Sequence, residues 1–312
     1  MITPRDAVDA ANERFGRHAG CRALHARGLL FAGTFTATPA AARLTRAPHM
    51  QGAPVRATVR FSNGGGDPDV PDHVPDVRGM AVKLYLPDGA TTDISAQTAP
   101  RFPVRTPEGF ADFMRAMSGG VAVAWKLPLF LARHREAITA LPGTIAGIKT
   151  PASYATRHYY AIHSYRFVDA AGGERHVRYR WVPEAGEETI SSAEGKRRGP
   201  RFLQEEIVER VAREAVRFAL EVQIAAPGDP VDDTTAPWRS DRETPVVGWL
   251  ELTGVETGRE RDGDVLVFDP CRITDGIALS GDPVLRYRTS AYSVSVERRS
   301  GVPRGAEAPD TP

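Results

Sequence analysis

One histidine stands between two arginines in the stretch CRALHARGLL, residues 21–30. His25 lies three residues after Arg22 and two before Arg27, and an apolar run follows. An imidazole titrates near neutral pH and can accept or donate a proton, so His25 is a candidate acid/base group. The alternative is a structural histidine at the start of a strand. Partners elsewhere in the chain decide between the two.

A second candidate set lies in SGDPVLRYRTSAYSVSVERRSG, near the C-terminal end. Asp282 and the proline after it are typical of a helix start, and they predict a last helix near 283–299. Arg288 and Tyr292 are four residues apart and share one helical face, on which Arg299 follows two turns later. Because a nearby cation favours the phenolate, Tyr292 is a candidate anionic ligand. A surface Tyr–Arg pair is the alternative.

Three other patterns are interpreted as structural. SNGGGDPD (62–69) lacks the Gly-Lys-Ser/Thr of a phosphate-binding loop, and it predicts a flexible loop. EGKRRGPR (194–201) is a basic stretch without aromatic residues, and it predicts a solvated loop. His158, His163 and His176 match no standard metal-site spacing, so no metal site is expected there.

Alternating apolar and polar residues predict the strands that carry these groups. In VRATVRFS (55–62), Arg60 and Ser62 lie on one polar face. Further strands are predicted at 29–37 (buried on both sides), 79–86, 164–168, 175–182, 217–224 and 246–254. Helices are predicted from Pro4, capped by Thr3, and near 107–117, 124–140, 203–214 and 283–299. About eight strands joined by irregular loops favour an antiparallel sheet, and closure into a barrel would remove its edges.

Composition limits the functional classes. The formal net charge of the 312 residues is +1, which predicts neither a nucleic-acid partner nor a membrane partner. Two cysteines form no disulfide framework, and the start of the chain lacks a signal-peptide pattern. We therefore expect a soluble cytoplasmic protein with a single domain over residues 1–300. Residues 301–312 have the composition of a disordered tail.

Six motifs, taken in their order and spacing, resemble the haem catalases. Because the chain is short, it is most similar to the small catalase-related peroxidases, which lack the long arms of larger relatives. The resemblance implies an α+β catalase-like fold, with a roughly eight-stranded antiparallel β-barrel surrounded by helices, and haem b as cofactor. The motifs are RALHARG (22–28), VRFS (59–62), DVRGMAVKLY (76–85), the 93–114 run that ends in TPEGFADFM, LVFDP (266–270) and RxxxY (288–292).

The resemblance also implies a role for each candidate residue. His25 corresponds to the distal acid/base group, Ser62 to the serine that orients its ring, and Tyr292 to the iron ligand, a ligation known for catalases. The remaining cofactor-binding residues are Arg22, Arg60 and Arg299 for the haem propionates, Phe110 for packing over the distal face, and Arg288 beside the tyrosine.

The sequence departs from the family pattern at the distal amide. Where large catalases carry an asparagine, this chain has AQTAP (96–100), so Gln97 or Thr98 takes that place. A displaced amide predicts weak catalase activity and a peroxidase that reduces hydrogen peroxide or organic hydroperoxides with organic electron donors. A homo-oligomer is possible. Two alternatives stay open: a fatty-acid hydroperoxide rearranging enzyme of the same fold, like allene oxide synthase, and a non-catalytic barrel that binds haem or another apolar ligand.

Overall fold

The computed structural model describes residues 2–260 and 264–300. The β-strands are β1 Gly28–Ala37, β2 Val55–Asn63, β3 Arg78–Tyr85, β4 Thr91–Gln97, β5 Tyr159–Tyr160, β6 Tyr165–Val168, β7 Glu174–Pro183, β8 Val216–Ile224, β9 Val246–Val255 and β10 Ile277–Leu279. The α-helices are α1 Pro4–Phe15, α2 Pro39–Leu44, α3 Pro107–Ala116, α4 Val123–Arg133, α5 Arg135–Gly147, α6 Ser192–Arg198, α7 Phe202–Arg213 and α8 Pro283–Ser300. The predicted tail, residues 301–312, lies outside the described residues.

Eight of the strands close into an antiparallel barrel. Their order is β7-β5-β4-β3-β2-β1-β9-β8, and the pairing of β7 with β8 completes the ring. Strands β6 and β10 extend from β7 as a side branch. The predicted α+β fold with an eight-stranded antiparallel barrel and surrounding helices is confirmed.

Large side chains fill the interior of the barrel. Phe31, Phe61 and Trp181 have no exposed surface, and the ring of Phe61 stacks on Tyr154 with centroids 5.4 Å apart. The alternation in β2 sends Val59 and Phe61 inward and leaves its polar residues on the outer face, as predicted. Because side chains occupy the interior, the candidate residues of β2 lie on the outer surface of the barrel.

Several local predictions were wrong. The basic stretch 194–201 is mostly helical, because Ser191 caps α6 by accepting a hydrogen bond from the backbone N–H of Glu194 (3.1 Å). The predicted helix 124–140 is two helices, separated at His134, whose backbone (φ −116°, ψ 71°) is not helical. Strand β1 was predicted to be buried on both sides. It is fully buried only on its inner face, and its outward residues are half-buried.

Strand β4 was absent from the prediction. Its sequence, TTDISAQ, contains one large apolar residue, Ile94, which is too weak a pattern to predict a strand. Antiparallel pairing with β3 holds this segment in an extended conformation that its own sequence pattern does not indicate. Among the described residues, no helix is both long enough and apolar enough to cross a bilayer.

Candidate active site

The outer face of β2, β3 and β4 carries one row of candidate residues. Ser62 pairs with Gly79, which in turn pairs with Gln97. Residues directly opposite one another in antiparallel strands project to the same face of the sheet. Ser62 and Gln97 therefore flank a glycine, and the missing side chain leaves a gap between them.

The ring of His25 occupies that gap. Its Nδ1 lies 3.0 Å from Ser62 Oγ. A Cβ on Gly79 would come within 2.7 Å of both atoms, so only glycine leaves room for the ring against the strand. The register of three strands thus fixes where the imidazole sits.

A left-handed turn delivers His25 to this place. Its φ is 54°, a conformation that costs a residue with a Cβ roughly 1–2 kcal/mol. The backbone N–H of His25 donates to Gly64 O (3.0 Å), and Arg60 donates to the carbonyl of His25 (2.9 Å). These bonds hold the strained turn against β2.

The glycine-rich segment after β2 shapes the same turn. The carbonyl of Gly65 accepts a hydrogen bond from the N–H of Ala26 (3.0 Å). A Cβ on Gly66 would lie 2.2 Å from the carbonyl oxygen of Ala23, so the two backbones touch. The sequence predicted a flexible loop here. The structure shows a segment that is hydrogen-bonded to the residues around His25.

The surroundings of His25 keep its imidazole neutral. Burial lowers the pKa of His25 to about 3, and the positive charges of Arg60, Arg288 and Arg22 act in the same direction. The expectation that this ring titrates near neutral pH is therefore wrong for the chain alone. At neutral pH the ring has a free lone pair on one nitrogen and can accept a proton.

Three arginines gather at one edge of this face. Arg22 and Arg299 each donate to the carbonyl oxygen of Leu266, both at 3.0 Å. The carboxylate of Glu260 accepts from Arg22 Nη1 at 3.3 Å and lies 4.0 Å from Arg299 Nη1. Burial lowers the pKa of Arg60 to about 9, and the charge of Arg22 acts in the same direction. This edge therefore gathers three guanidinium groups around the carboxylate of Glu260.

The last helix presents its tyrosine to an arginine, as its spacing predicts. Arg288 Nε donates to the hydroxyl of Tyr292 at 3.0 Å, and a second guanidinium nitrogen also contacts that hydroxyl. The predicted N-cap Asp282 accepts from the N–H of Val284 (2.8 Å). Its other carboxylate oxygen lies 2.6 Å from His163 Nδ1, and His163 Nε2 lies 3.0 Å from Arg288 Nη1.

This chain of contacts settles the tautomer of His163. A carboxylate on Nδ1 requires a proton there, which leaves the Nε2 lone pair to accept from Arg288. Burial lowers the pKa of His163, in keeping with a neutral ring. Burial raises the pKa of Tyr292, and the charge of Arg288 opposes that shift. The arginine thus counteracts burial rather than bringing the phenol below its ordinary pKa.

Apolar residues border the site on the side of α3. Phe110 stacks on Phe102 with centroids 5.8 Å apart, and Leu24 packs against the same helix. Phe102, Phe110 and Leu24, like His25 and Tyr292, are partly exposed. Because Leu24 directly precedes His25, these apolar side chains lie next to the segment that carries the imidazole.

Of the two residues that the sequence proposed for the distal amide position, Gln97 lies on the face that carries Ser62. Its side-chain amide donates to Ala99 O at 3.2 Å from the same face as Ser62. The hydroxyl of Thr98 is engaged elsewhere, since it donates to Gly147 O (2.6 Å) and accepts from the N–H of Arg78 (3.0 Å). The geometry favours Gln97 of the two residues that the sequence left open.

Comparison with known proteins decides the family. The family model for catalase matches residues 12–304, nearly the whole chain. This chain belongs to the catalase family. A catalase-related peroxidase of Mycolicibacterium paratuberculosis is 48% identical over 308 residues, which cover 99% of this chain and 98% of that protein. A second catalase-related peroxidase, from Synechococcus elongatus, is 30% identical and covers 96% of this chain and 89% of that protein.

The catalase fold is seen directly in a solved relative. The crystal structure of a fungal catalase superimposes with a TM-score of 0.79 at 23% sequence identity, over 91% of this chain and 60% of the fungal chain. Family membership makes this chain an oxidoreductase, and the names of its relatives support a peroxidase or catalase type of activity. The chain spans about 60% of the length of the larger catalases that it matches.

Four residues of this site were missed or misjudged from the sequence. Gly79 is one of many glycines, and its importance depends on a strand register that no local pattern shows. His163 was considered only as a metal ligand, and its partner Asp282 lies 119 residues away. Glu260 carries no sequence signal, and Leu266 was noted only as the first residue of the LVFDP motif, without the contacts of its carbonyl oxygen.

Proposed function

We propose that this chain is a haem-dependent peroxidase. It reduces hydrogen peroxide or organic hydroperoxides with organic electron donors, and it has weak catalase activity. The observation that carries the proposal is the placement of His25, whose Nδ1 lies 3.0 Å from Ser62 Oγ on the face that also holds Gln97. A site that only stores a ligand has no need of an oriented proton acceptor.

The residues present fit a haem. A flat apolar ring with two carboxylates requires an apolar wall, cations at one edge and an axial ligand. Phe110 and Phe102 supply the wall, and Tyr292 beside Arg288 supplies a phenolic oxygen. Glu260 already contacts Arg22 in this structure, and its carboxylate stands in for a propionate. The family's known cofactor supports the same assignment.

Several residues of the chain would each hold a different part of the haem. Tyr292 is the proposed iron ligand. Arg22, Arg60 and Arg299 would hold the propionates through charge-assisted hydrogen bonds, and Phe110 would pack on the distal side. When bound, the haem supplies the redox chemistry of peroxide reduction.

The proton chemistry belongs to His25. The ring is neutral at pH 7, and in the tautomer whose Nδ1–H donates to Ser62 Oγ, the lone pair of Nε2 would be free to take a proton from a peroxide oxygen. Ser62 fixes the ring by contact with Nδ1, which leaves Nε2 to meet the substrate. The same nitrogen can return the proton to the leaving oxygen, so one residue acts first as base and then as acid.

Arg288 would keep Tyr292 competent as a ligand. Burial alone favours the neutral phenol, and the guanidinium contact at 3.0 Å favours the phenolate. His163 accepts from Arg288 and so helps to hold its plane towards the hydroxyl. His163 would therefore act on Tyr292 indirectly, through Arg288.

Gln97 supports peroxidase over catalase chemistry. Its amide donates to Ala99 O within its own turn at 3.2 Å, which commits one of its hydrogen bonds. A second peroxide that needs this donor would be held less well, and small misplacements can cost on the order of 10²-fold in rate. Organic donors do not depend on that contact.

The cytoplasmic location expected from the sequence stays a prediction.

Tyr292→Phe tests the ligand assignment. We expect the purified variant to lose most of its haem or to change its absorption spectrum, because phenylalanine has no oxygen to bind iron. Tyr287→Phe, on the same helix, is the matched control and should leave the spectrum unchanged. A Tyr292→Phe protein with the spectrum and haem content of the wild type would contradict the proposal.

A further inference from the structure

Exposed apolar side chains are concentrated on two helices. Among the described residues, eight large apolar side chains are exposed, and five of them lie in or next to α4 and α5. Such concentration on a surface marks an interaction site rather than the scattered exposure that is ordinary in proteins. The five, with their exposed fractions, are Val121 (94%), Trp125 (62%), Leu129 (45%), Ile138 (52%) and Ile145 (60%).

The outward face of α4 is apolar along most of its length. Trp125 and Leu129 are four residues apart and therefore neighbours on that face. The exposed residues beside them are Ala124, Pro128 and Ala132, which add no polar group. On the opposite side, Phe130 is buried against Phe113 of α3, with ring centroids 5.6 Å apart. Helix α4 is thus apolar on its packed side and on its solvent side.

Basic residues outnumber acidic ones in the segment that carries this apolar face, although Asp112 of α3 contacts His134 between α4 and α5 (3.1 Å). Between residues 118 and 150 the chain contains four lysines or arginines and one acidic residue, Glu136. Arg133, Arg135 and Lys149 are exposed. Within residues 2–260 and 264–300, no ion pair joins any of these three to a carboxylate. Their charge is therefore available to an external anion.

We propose that α4 and α5 form a peripheral docking surface for an anionic lipid bilayer. Trp125 and Leu129 would enter the boundary between headgroups and acyl chains, where tryptophan is favoured. Arg133, Arg135 and Lys149 would contact lipid phosphates. The near-neutral charge of the whole chain predicted no membrane partner, but that average hides the local excess of cations.

A second copy of the chain fits this face less well. Two copies meeting through α4 and α5 would bring the basic groups of each near those of the other, and like charges are costly at an interface. A bilayer of anionic lipid offers the opposite charge around an apolar interior. Charge complementarity therefore selects the bilayer.

The surface lies close to the proposed catalytic side of the barrel without being part of it. Helix α4 packs on α3 through Phe130 and Phe113, and α3 carries Phe110. Docking does not require the peroxidase activity, so the two proposals can fail separately.

Vesicle co-sedimentation of the purified full-length protein tests the docking surface. We expect binding to phosphatidylglycerol vesicles, weaker binding to phosphatidylcholine vesicles, and a decrease as salt is raised. Trp125→Ser combined with Leu129→Ser should weaken binding by about tenfold or more, because both apolar contacts are lost. Trp249→Ser is the matched control, since Trp249 is 40% exposed on β9, away from this face.

The basic residues are tested in the same way. Lys149→Gln should weaken binding to phosphatidylglycerol by about fivefold, and Arg43→Gln, an exposed arginine on α2, should not change it. Absence of binding by the wild type, or equal binding by the double variant, would overturn the proposal. A stable dimer that the double variant converts to monomer would overturn it too, because a second copy would then cover the face.

Discussion

Gly79→Ala adds a single methyl group behind His25, the proposed acid/base residue. The new carbon would lie 2.7 Å from both His25 Nδ1 and Ser62 Oγ, whereas ordinary contacts begin near 3.4 Å. The ring and the hydroxyl must therefore each move by about 0.7 Å, or the strand must shift. The strand is held by pairing on both sides, so we expect the ring to move.

A displacement of this size is enough to impair proton transfer. Misplacement by about 1 Å can cost on the order of 10²-fold in rate, and loss of the acid/base group altogether costs 10²–10⁴-fold. We expect the Gly79→Ala protein to react with hydrogen peroxide about 10²-fold more slowly than the wild type. Its haem content should stay the same, because the atoms nearest to the new methyl group belong to His25 and Ser62, neither of which is a proposed haem-binding residue.

Stopped-flow absorbance after mixing with peroxide measures this step. Gly254→Ala is the matched control: Gly254 also lies in a strand, β9, and a Cβ there would have nothing within 4 Å. The control should react at the wild-type rate. A Gly79→Ala protein that is folded, loaded with haem and as fast as the control would refute the idea that this glycine makes room for His25.

Two further predictions concern the proposed site residues and one buried histidine, His49. His25→Ala should slow the first peroxide-dependent absorbance change by about 10²–10⁴-fold, whereas Gln97→Asn should leave it unchanged and raise oxygen release relative to donor oxidation, measured with an oxygen electrode. Burial lowers the pKa of His49 to about 4. Below about pH 6.5 the unfolded chain therefore binds a proton at His49, which the folded chain binds only near pH 4. Stability should therefore fall as the pH drops below about 6.5, and between pH 7.5 and pH 5 His49 should account for about 2 kcal/mol of that loss in urea unfolding. His49→Gln should show a correspondingly smaller loss, and an equal loss would contradict the assignment.

Local periodicity predicted the parts of the site that lie on single elements. The alternation of β2 placed Arg60 and Ser62 on one face, and both contact His25 in the structure. The four-residue spacing of Arg288 and Tyr292 predicted a contact that is present at 3.0 Å. Each of these relations depends only on the geometry of one helix or one strand, which the sequence determines.

Relations between distant elements could not be predicted in the same way. Gly79 matters because the register of β2 with β3 sets it opposite Ser62, and that register is a property of the assembled sheet. His163 meets Asp282 and Arg288 only when the chain after β5 packs against α8. Strand β4, which carries Gln97, has too few apolar residues to be predicted from its own pattern.

The pKa of His25 shows why the site must be considered as a whole. The sequence suggested an imidazole with ordinary titration, but burial and three surrounding arginines lower its pKa to about 3. Two of those arginines, Arg22 and Arg60, are the proposed partners of haem propionates. Carboxylates bound there would offset positive charge near the ring and raise its pKa towards its ordinary value. The groups that hold the cofactor would then also tune the acid/base residue, which links haem binding to proton transfer.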